Sequence, residues 1–122
     1  MKKITILFFL LFAATAFAQT EKTLIGKWQF SDLTDTGDLD AQSVEMTKMI
    51  FKDFQIEFSA DKKVSVAVMG KTEGGTWKMS DEKTLVITTD KGKTMNMPIK
   101  KIDDKELVIS FDGKVTMMLN RV

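Results

Sequence analysis

Apolar and polar residues alternate with a period of two along most of the chain. The first such stretch runs from Leu24 to Phe30, and seven more follow between Phe54 and Asn120, separated by short polar or glycine-containing turns. Strand side chains point alternately to opposite faces, so this period predicts half-buried strands. Consecutive strands joined by short turns pair antiparallel. We therefore predict an all-β fold, an eight-stranded antiparallel up-and-down β-barrel, in which closure removes both sheet edges.

One segment interrupts the alternation between the first two strands. Residues 41–53 contain no Gly or Pro, and Asp40 precedes them as a candidate N-cap after the polar loop 31–40. This composition predicts one short helix. Since the chain enters it from the first strand and leaves it into the second, we expect the helix to cover one opening of the barrel.

The apolar residues of this helix do not form one stripe. Val44 and Phe51 lie on one side, and Met46, Met49 and Ile50 lie on nearly the opposite side. A surface helix normally has a single apolar face. The Met46, Met49 and Ile50 face is therefore a candidate surface for an envelope protein, unless the barrel rim and the polar loop cover it.

The N-terminus has the features of a secretory leader. Two lysines precede an apolar run over residues 4–12, and Ala-Phe-Ala at 16–18 is a small-x-small cleavage site. We predict a signal peptide over 1–18, cleaved before Gln19, and one mature domain over 19–122. The protein is then exported, to the periplasm or beyond, and the mature chain carries no membrane span.

The amino-acid composition limits the reactions, metal sites and partners that this chain can support. The chain has no Cys and no His, so the usual general base, thiol nucleophile and soft metal ligands are absent. We expect no enzyme, no metal site and no cofactor. Removing the two leader lysines from the 18 Lys and Arg leaves 16 against 17 Asp and Glu, which does not suggest a nucleic-acid partner. The carboxylates fall in turns or at outward positions, with Glu57, Glu73, Asp81, Glu82, Asp103, Asp104 and Glu106 as the main examples.

The inward positions of the strands are almost wholly apolar. The interior of an eight-stranded barrel is either filled by side chains or holds one small ligand, and the pattern leaves both outcomes open. The candidate ligand-binding residues are the inward aromatic and methionine side chains Phe30, Phe58, Trp77, Met79, Met95, Met97, Phe111 and Met117. Because Arg121 is the one inward cation, we expect an apolar ligand without a charged anchor.

Gly26-Lys27-Trp28 in the first strand and Arg121 near the end of the last carry a family resemblance. The chain resembles the lipocalin-like branch of the calycin superfamily, in its short exported bacterial form. The resemblance implies that Arg121 packs across Trp28 at the closed end of the barrel. It also implies binding of a small apolar ligand inside the barrel. The alternative is a filled barrel that acts as an envelope protein-interaction or structural module.

Overall fold

The computed structural model describes residues 18–111 and 115–122. Apart from Ala18, the predicted leader lies outside the described residues, as does the Asp112-Gly113 turn that the sequence predicts between the last two strands. None of the helices in the described ranges is long and apolar enough to cross a membrane.

The chain forms one closed barrel of eight antiparallel strands. Each strand pairs with the next in sequence, and β1 also pairs with β8, which confirms the predicted up-and-down barrel. The elements are α1 (residues 18–24), β1 (Gly26–Asp35), α2 (Ala41–Phe51), β2 (Gln55–Phe58), β3 (Lys63–Val68), β4 (Lys71–Asp81), β5 (Thr84–Thr89), β6 (Thr94–Ile102), β7 (Glu106–Phe111) and β8 (Val115–Arg121).

The predicted helix between the first two strands is present as α2. Asp40 caps it: the backbone is extended, and the carboxylate accepts a hydrogen bond of 2.8 Å from the backbone N–H of Ser43. That bond lowers the pKa of Asp40 below its ordinary value. The helix ends at Phe51, and no side chain within it is fully buried.

The start of the domain differs from the prediction. The sequence pattern placed the first strand at 24–30, but Leu24 ends α1 and the strand begins at Gly26. The strand then continues to Asp35, through half of the predicted polar loop. Register shifts after Phe30 and after Leu33 let this polar segment stay paired with β8. Bulges of this kind allow a strand to bend while its polar side chains remain in solvent.

β4 is longer than predicted. Residues 70–74 read as a turn in the sequence, but the turn is only Met69 and Gly70, and β4 begins at Lys71. Glu73 pairs with Val66 of β3 and has the same parity as the buried Trp77. The carboxylate of Glu73 is therefore inward, which corrects the prediction that it lies in a turn or faces outward.

The two ends of the barrel are packed differently. At the end that carries α1, which we call the closed end, side chains fill the interior. At the opposite end, the mouth, α2 and the β3–β4 and β5–β6 turns surround inward residues that are only half-buried. The half-buried apolar residues that face inward at the mouth include Phe30, Val66, Val68, Met95 and Phe111.

At the closed end Arg121 stacks on Trp28, as predicted. The guanidinium carbon lies 4.2 Å from the indole centroid, and the two residues are direct partners across β1 and β8. The guanidinium also donates to the carbonyls of Ile25 (2.9 Å), Thr23 (2.5 Å) and Asp104 (2.7 Å). These bonds join α1, the residue before β1 and the β6–β7 turn to Arg121 of β8.

A second tryptophan site lies nearby. The Nζ of Lys62 lies 4.3 Å from the Trp77 ring and forms an ion pair of 2.6 Å with Glu21 of α1. The indole nitrogens of both tryptophans donate to backbone carbonyls, Trp28 to Leu24 and Trp77 to Ser59. The indole N–H of each buried tryptophan thus has a hydrogen-bond acceptor, and a cationic side chain lies over each ring.

Candidate ligand-binding site

A cavity of about 220 Å³ lies in the mouth of the barrel. Its lining combines the end of α2, the inward residues of β2 to β7 near the mouth, and the β5–β6 turn. The lining residues are Phe51, Phe54, Ile56, Val66, Val68, Glu73, Ile87, Thr89, Lys93, Met95, Met97 and Phe111. Nine of these twelve side chains are apolar, so the cavity is a hydrophobic site with a few polar groups.

α2 reaches the cavity through Phe51. Its ring makes edge contacts with Phe54 (centroids 5.4 Å apart, 75° between planes) and Phe111 (5.5 Å, 71°). Phe30 lies beside this group, with its centroid 6.1 Å from that of Phe51. Edge-to-face contacts at these distances are favourable beyond their area burial. The four rings form an aromatic cluster that holds the C-terminal end of the helix across part of the mouth.

The strands themselves separate on one side of the cavity. The paired register of β6 with β7 ends towards the mouth at Ile99 and Ile109. The next two facing residues, Met97 and Phe111, are not paired and both line the cavity. Pro98 stands at this point and cannot donate to the ladder. The break in β6–β7 pairing near Pro98 thus provides room for the cavity.

Three polar residues line the cavity at the mouth: Glu73 of β4, Thr89 at the end of β5, and Lys93 in the β5–β6 turn. The β5–β6 turn is closed by hydrogen bonds from the Thr89 N–H to the Lys93 carbonyl (2.8 Å) and from the Lys93 N–H to the Thr89 hydroxyl (3.1 Å). Glu73 is half-buried, whereas Lys93 is exposed. Among the described residues, Glu73 has no hydrogen bond or ion pair to another side chain, and this includes Lys93.

The structure divides the predicted ligand-binding residues between the two ends. Met95, Met97 and Phe111 line the cavity, and Phe30 contacts its aromatic cluster. The other four lie among the core residues and do not line it. Phe58 and Trp77 pack edge to face towards the closed end, and Met79 and Met117 are buried in the core.

Sequence reasoning missed the helix and turn residues of the site. Phe51 and Lys93 lie outside the strands, so no strand parity could place them. Glu73 had a usable signal, because it lies four residues before Trp77 and therefore shares its inward parity. Placing residues 70–74 in a turn concealed that signal.

A larger depression, of about 560 Å³, lies on the outer surface near Pro98. Its charged residues Glu82, Lys83, Lys100 and Lys101 are all exposed. Long exposed side chains of both signs around an open surface are ordinary solvated groups. We therefore place the candidate site in the smaller cavity at the mouth, where apolar walls converge.

The second side of α2 faces away from this site. Met46 is 58% exposed, Met49 76% and Ile50 39%. Neither the barrel rim nor the polar loop covers them among the described residues. The helix is instead held through Phe51 and by an ion pair of 3.7 Å between Lys48 and Asp32.

Comparisons with known proteins agree with this architecture. A family model described as a lipocalin-like domain matches residues 24–109. The structure is similar to that of a lipocalin-like protein from Bacteroides uniformis ATCC 8492, with a TM-score of 0.56 and 10% identity over 82% of this chain and 99% of that one. It is also similar to a DUF4847 family protein from Bacteroides vulgatus ATCC 8482, with a TM-score of 0.55 and 17% identity over 81% of this chain and 93% of that one. No curated protein matches the chain significantly.

Proposed function

This chain belongs to the lipocalin-like domain family, and we propose that it binds a small apolar molecule in the mouth of its barrel. One observation carries the proposal: a cavity of about 220 Å³ with apolar walls, in a barrel whose other end is filled. The cavity lining contains no His or Cys, and Glu73 is its single carboxylate, so the lining residues are better suited to binding than to acid–base or nucleophilic catalysis.

The volume sets the size of the ligand. An engineered apolar cavity of about 150 Å³ holds benzene, and pockets for drug-sized molecules span roughly 300–1,000 Å³. A cavity of about 220 Å³ lies between these values. The ligand that it accommodates is therefore larger than benzene and smaller than a typical drug, with a flexible wall supplied by Met95 and Met97.

The test is to fill the cavity. Val68 lines it near the mouth, and Val68→Trp places an indole where the ligand would bind. Val108 of β7 is half-buried on the outward parity, so Val108→Trp is the matched control. Binding of a neutral six-carbon alcohol, n-hexanol, is measured by backbone amide chemical shifts. We expect saturable binding to wild type and to Val108→Trp, and loss of binding in Val68→Trp.

Two results would overturn the proposal. In the first, hexanol and a larger neutral probe, naphthalene, both fail to perturb the amides around the mouth of the wild-type protein. In the second, Val68→Trp binds as well as wild type while its amide spectrum shows an intact fold. In either case the cavity is only a packing defect.

A protein-interaction role is the second candidate, and the exposed face of α2 favours it. Contiguous exposed apolar side chains often mark interaction sites, and Met46, Met49 and Ile50 are such a group. Chemical cross-linking in the cell envelope of the host, with wild type and a Met46→Lys/Met49→Lys variant, tests this role. A defined cross-linked partner that the variant loses would support it, and identical cross-links in both would exclude this face.

Both roles are proposed for an exported protein. The proposal of export rests on the leader pattern over residues 1–18. Mass measurement of the protein recovered from its host tests it. A chain that begins at Gln19 in the periplasmic or culture fraction is expected, and an intact N-terminus in the cytoplasmic fraction would contradict it.

A further inference from the structure

We infer that Glu73 makes the mouth cavity selective for small amphiphiles with a cationic nitrogen on an apolar body. The inference rests on the proposed function, because it names the class of molecule that the same cavity takes. It arises from one juxtaposition: a half-buried carboxylate without a partner among the described residues, set in the wall of an apolar cavity.

Glu73 is held in the wall by the backbone of its strand. It pairs with Val66, and Val66 and Val68 of the neighbouring strand also line the cavity. The carboxylate therefore lies beside apolar walls rather than on the outer surface of the barrel. A ligand that enters the cavity displaces water from this carboxylate, which is unfavourable unless the ligand itself interacts with the charged oxygens. A ligand that brings an N–H donor supplies that interaction, and a cationic donor supplies the stronger one.

The other charge at the cavity, Lys93, does not fill this role. It lies in the β5–β6 turn, its side chain is exposed, and no ion pair joins it to Glu73 within 4.0 Å. Because a flexible exposed ammonium is well solvated, its effect on a bound ligand is screened more than that of the half-buried carboxylate. The net preference of the site is therefore set by Glu73, towards cations and against carboxylates such as fatty acids.

The hexyl series of ligands tests this preference at constant chain length. n-Hexylamine, which is protonated at neutral pH, n-hexanol and hexanoate differ only in the head group. Dissociation constants come from amide chemical-shift titrations at low salt. We expect wild type to bind hexylamine about three- to tenfold more tightly than hexanol, which is below the range for a charged hydrogen bond because Glu73 is only half-buried and solvent screens its charge. Hexanoate is expected to bind most weakly.

Glu73→Gln keeps the size and shape of the side chain but removes its charge. In this variant the preference for hexylamine over hexanol should disappear, hexanoate should bind better than to wild type, and hexanol should change by less than about twofold. Glu57→Gln is the matched control, since Glu57 is an exposed carboxylate on the outward side of β2. It should leave the wild-type preference unchanged.

The outcomes separate this inference from the proposed function. If hexanol binds and is excluded by Val68→Trp, but hexylamine binds no better than hexanol, the cavity is a binding site and the inference about Glu73 is wrong. The same conclusion follows if Glu73→Gln keeps the preference for the amine. If none of the three ligands binds, the proposed function fails, and the inference fails with it.

Discussion

The closed end and the mouth of this barrel use aromatic side chains in opposite ways. At the closed end two tryptophans are buried, their indole nitrogens are hydrogen-bonded, and Arg121 and Lys62 cover their rings. At the mouth four phenylalanines meet around the end of α2, and a cavity of about 220 Å³ remains beneath them.

The difference shows where stability and binding reside. Every polar atom of the closed-end tryptophans has a partner, and Arg121 satisfies three further carbonyls. At the mouth the carboxylate of Glu73 has none among the described residues. Regions with incomplete packing open at lower free energy than the core, and binding surfaces are commonly drawn from them. We therefore expect substitutions at the closed end to change stability, and substitutions at the mouth to change ligand affinity.

Trp28→Ala should have the largest effect on stability. Trp28 is 0% exposed, and its removal leaves a cavity at the centre of the closed end. It also removes the ring on which the guanidinium of Arg121 stacks. We expect a loss of about 3–5 kcal/mol in the free energy of unfolding, the range for deleting a buried aromatic. Urea denaturation followed by far-UV circular dichroism measures it. A loss below about 1 kcal/mol would show that the closed end is not the stabilising region.

Gly75→Ala should rank second. A Cβ at Gly75 would lie well inside 3.0 Å of the backbone carbonyl oxygen of Thr88, which cannot move without breaking the β4–β5 pairing. We expect a loss of about 3 kcal/mol, at the upper end for overpacking. Gly74→Ala is the matched control, because the one contact of its Cβ inside 3.0 Å would be the exposed carboxylate of Asp90, at 2.9 Å, while the nearest backbone atom, the Val64 oxygen, lies at 3.9 Å. Equal midpoints of urea unfolding for the two variants would contradict this account.

Arg121→Lys should cost less, about 1–2 kcal/mol. Lysine keeps the positive charge but loses the planar face over Trp28 and the fork that reaches the carbonyls of Thr23 and Ile25. Part of the loss should appear as faster amide exchange in α1, because Arg121 joins that helix to β8 through the Thr23 carbonyl. Unchanged exchange in α1 together with an unchanged unfolding midpoint would show that the charge alone is sufficient.

Phe51→Ala tests the mouth directly. Phe51 is half-buried, so its removal should cost only about 1 kcal/mol, well below the range for a fully buried aromatic. It also enlarges the cavity and releases α2, so the affinity for n-hexanol should change more than the stability does. Calorimetric unfolding and the shift titration measure the two quantities on the same sample. A stability loss as large as that of Trp28→Ala would remove the distinction between the two ends.

The inward strand positions were more predictable from the sequence than the cavity at the mouth, and the reason is physical. Strand alternation is a local property, so inward residues such as Ile87 and Leu107 could be assigned without knowing their partners. The stack of Arg121 on Trp28 was implied by the family resemblance, and closure of the barrel agrees with it because closure makes β1 and β8 neighbours. Neither feature depends on how tightly the side chains pack.

The mouth depends on features that strand alternation does not contain. Its cavity exists because Phe51 of the helix covers it and because β6 and β7 separate at Pro98. The position of Glu73 depends on Gly74 and Gly75 lying within a strand rather than in a turn, and close approach to the Thr88 carbonyl explains the glycine at position 75. These are results of packing across several strands.

The smallest expected effect is on acid stability, and it also distinguishes the two ends. At the closed end the carboxylate of Asp103 accepts hydrogen bonds from the backbone N–H groups of Lys105 and Glu106, both at 2.8 Å, and the first of these is the main cause of its lowered pKa. At the mouth the Ser43 N–H lowers the pKa of Asp40 in the same way. A lowered pKa stabilises the fold above the unfolded value of 3.8, and that stability is lost as the pH falls through the folded value.

The free energy of global unfolding, measured in urea, should therefore fall on acidification below about pH 4. Asp103→Asn should reduce this pH dependence because one linked proton is removed. Asp40→Asn should instead act locally: amide exchange in α2 should lose part of its acid dependence, while global unfolding keeps the wild-type profile. This difference is expected because the β6–β7 turn is joined to the packed closed end through the bond from Arg121 to Asp104, whereas α2 has no fully buried side chain. A change in the global profile of equal size for both variants would show that α2 unfolds together with the barrel.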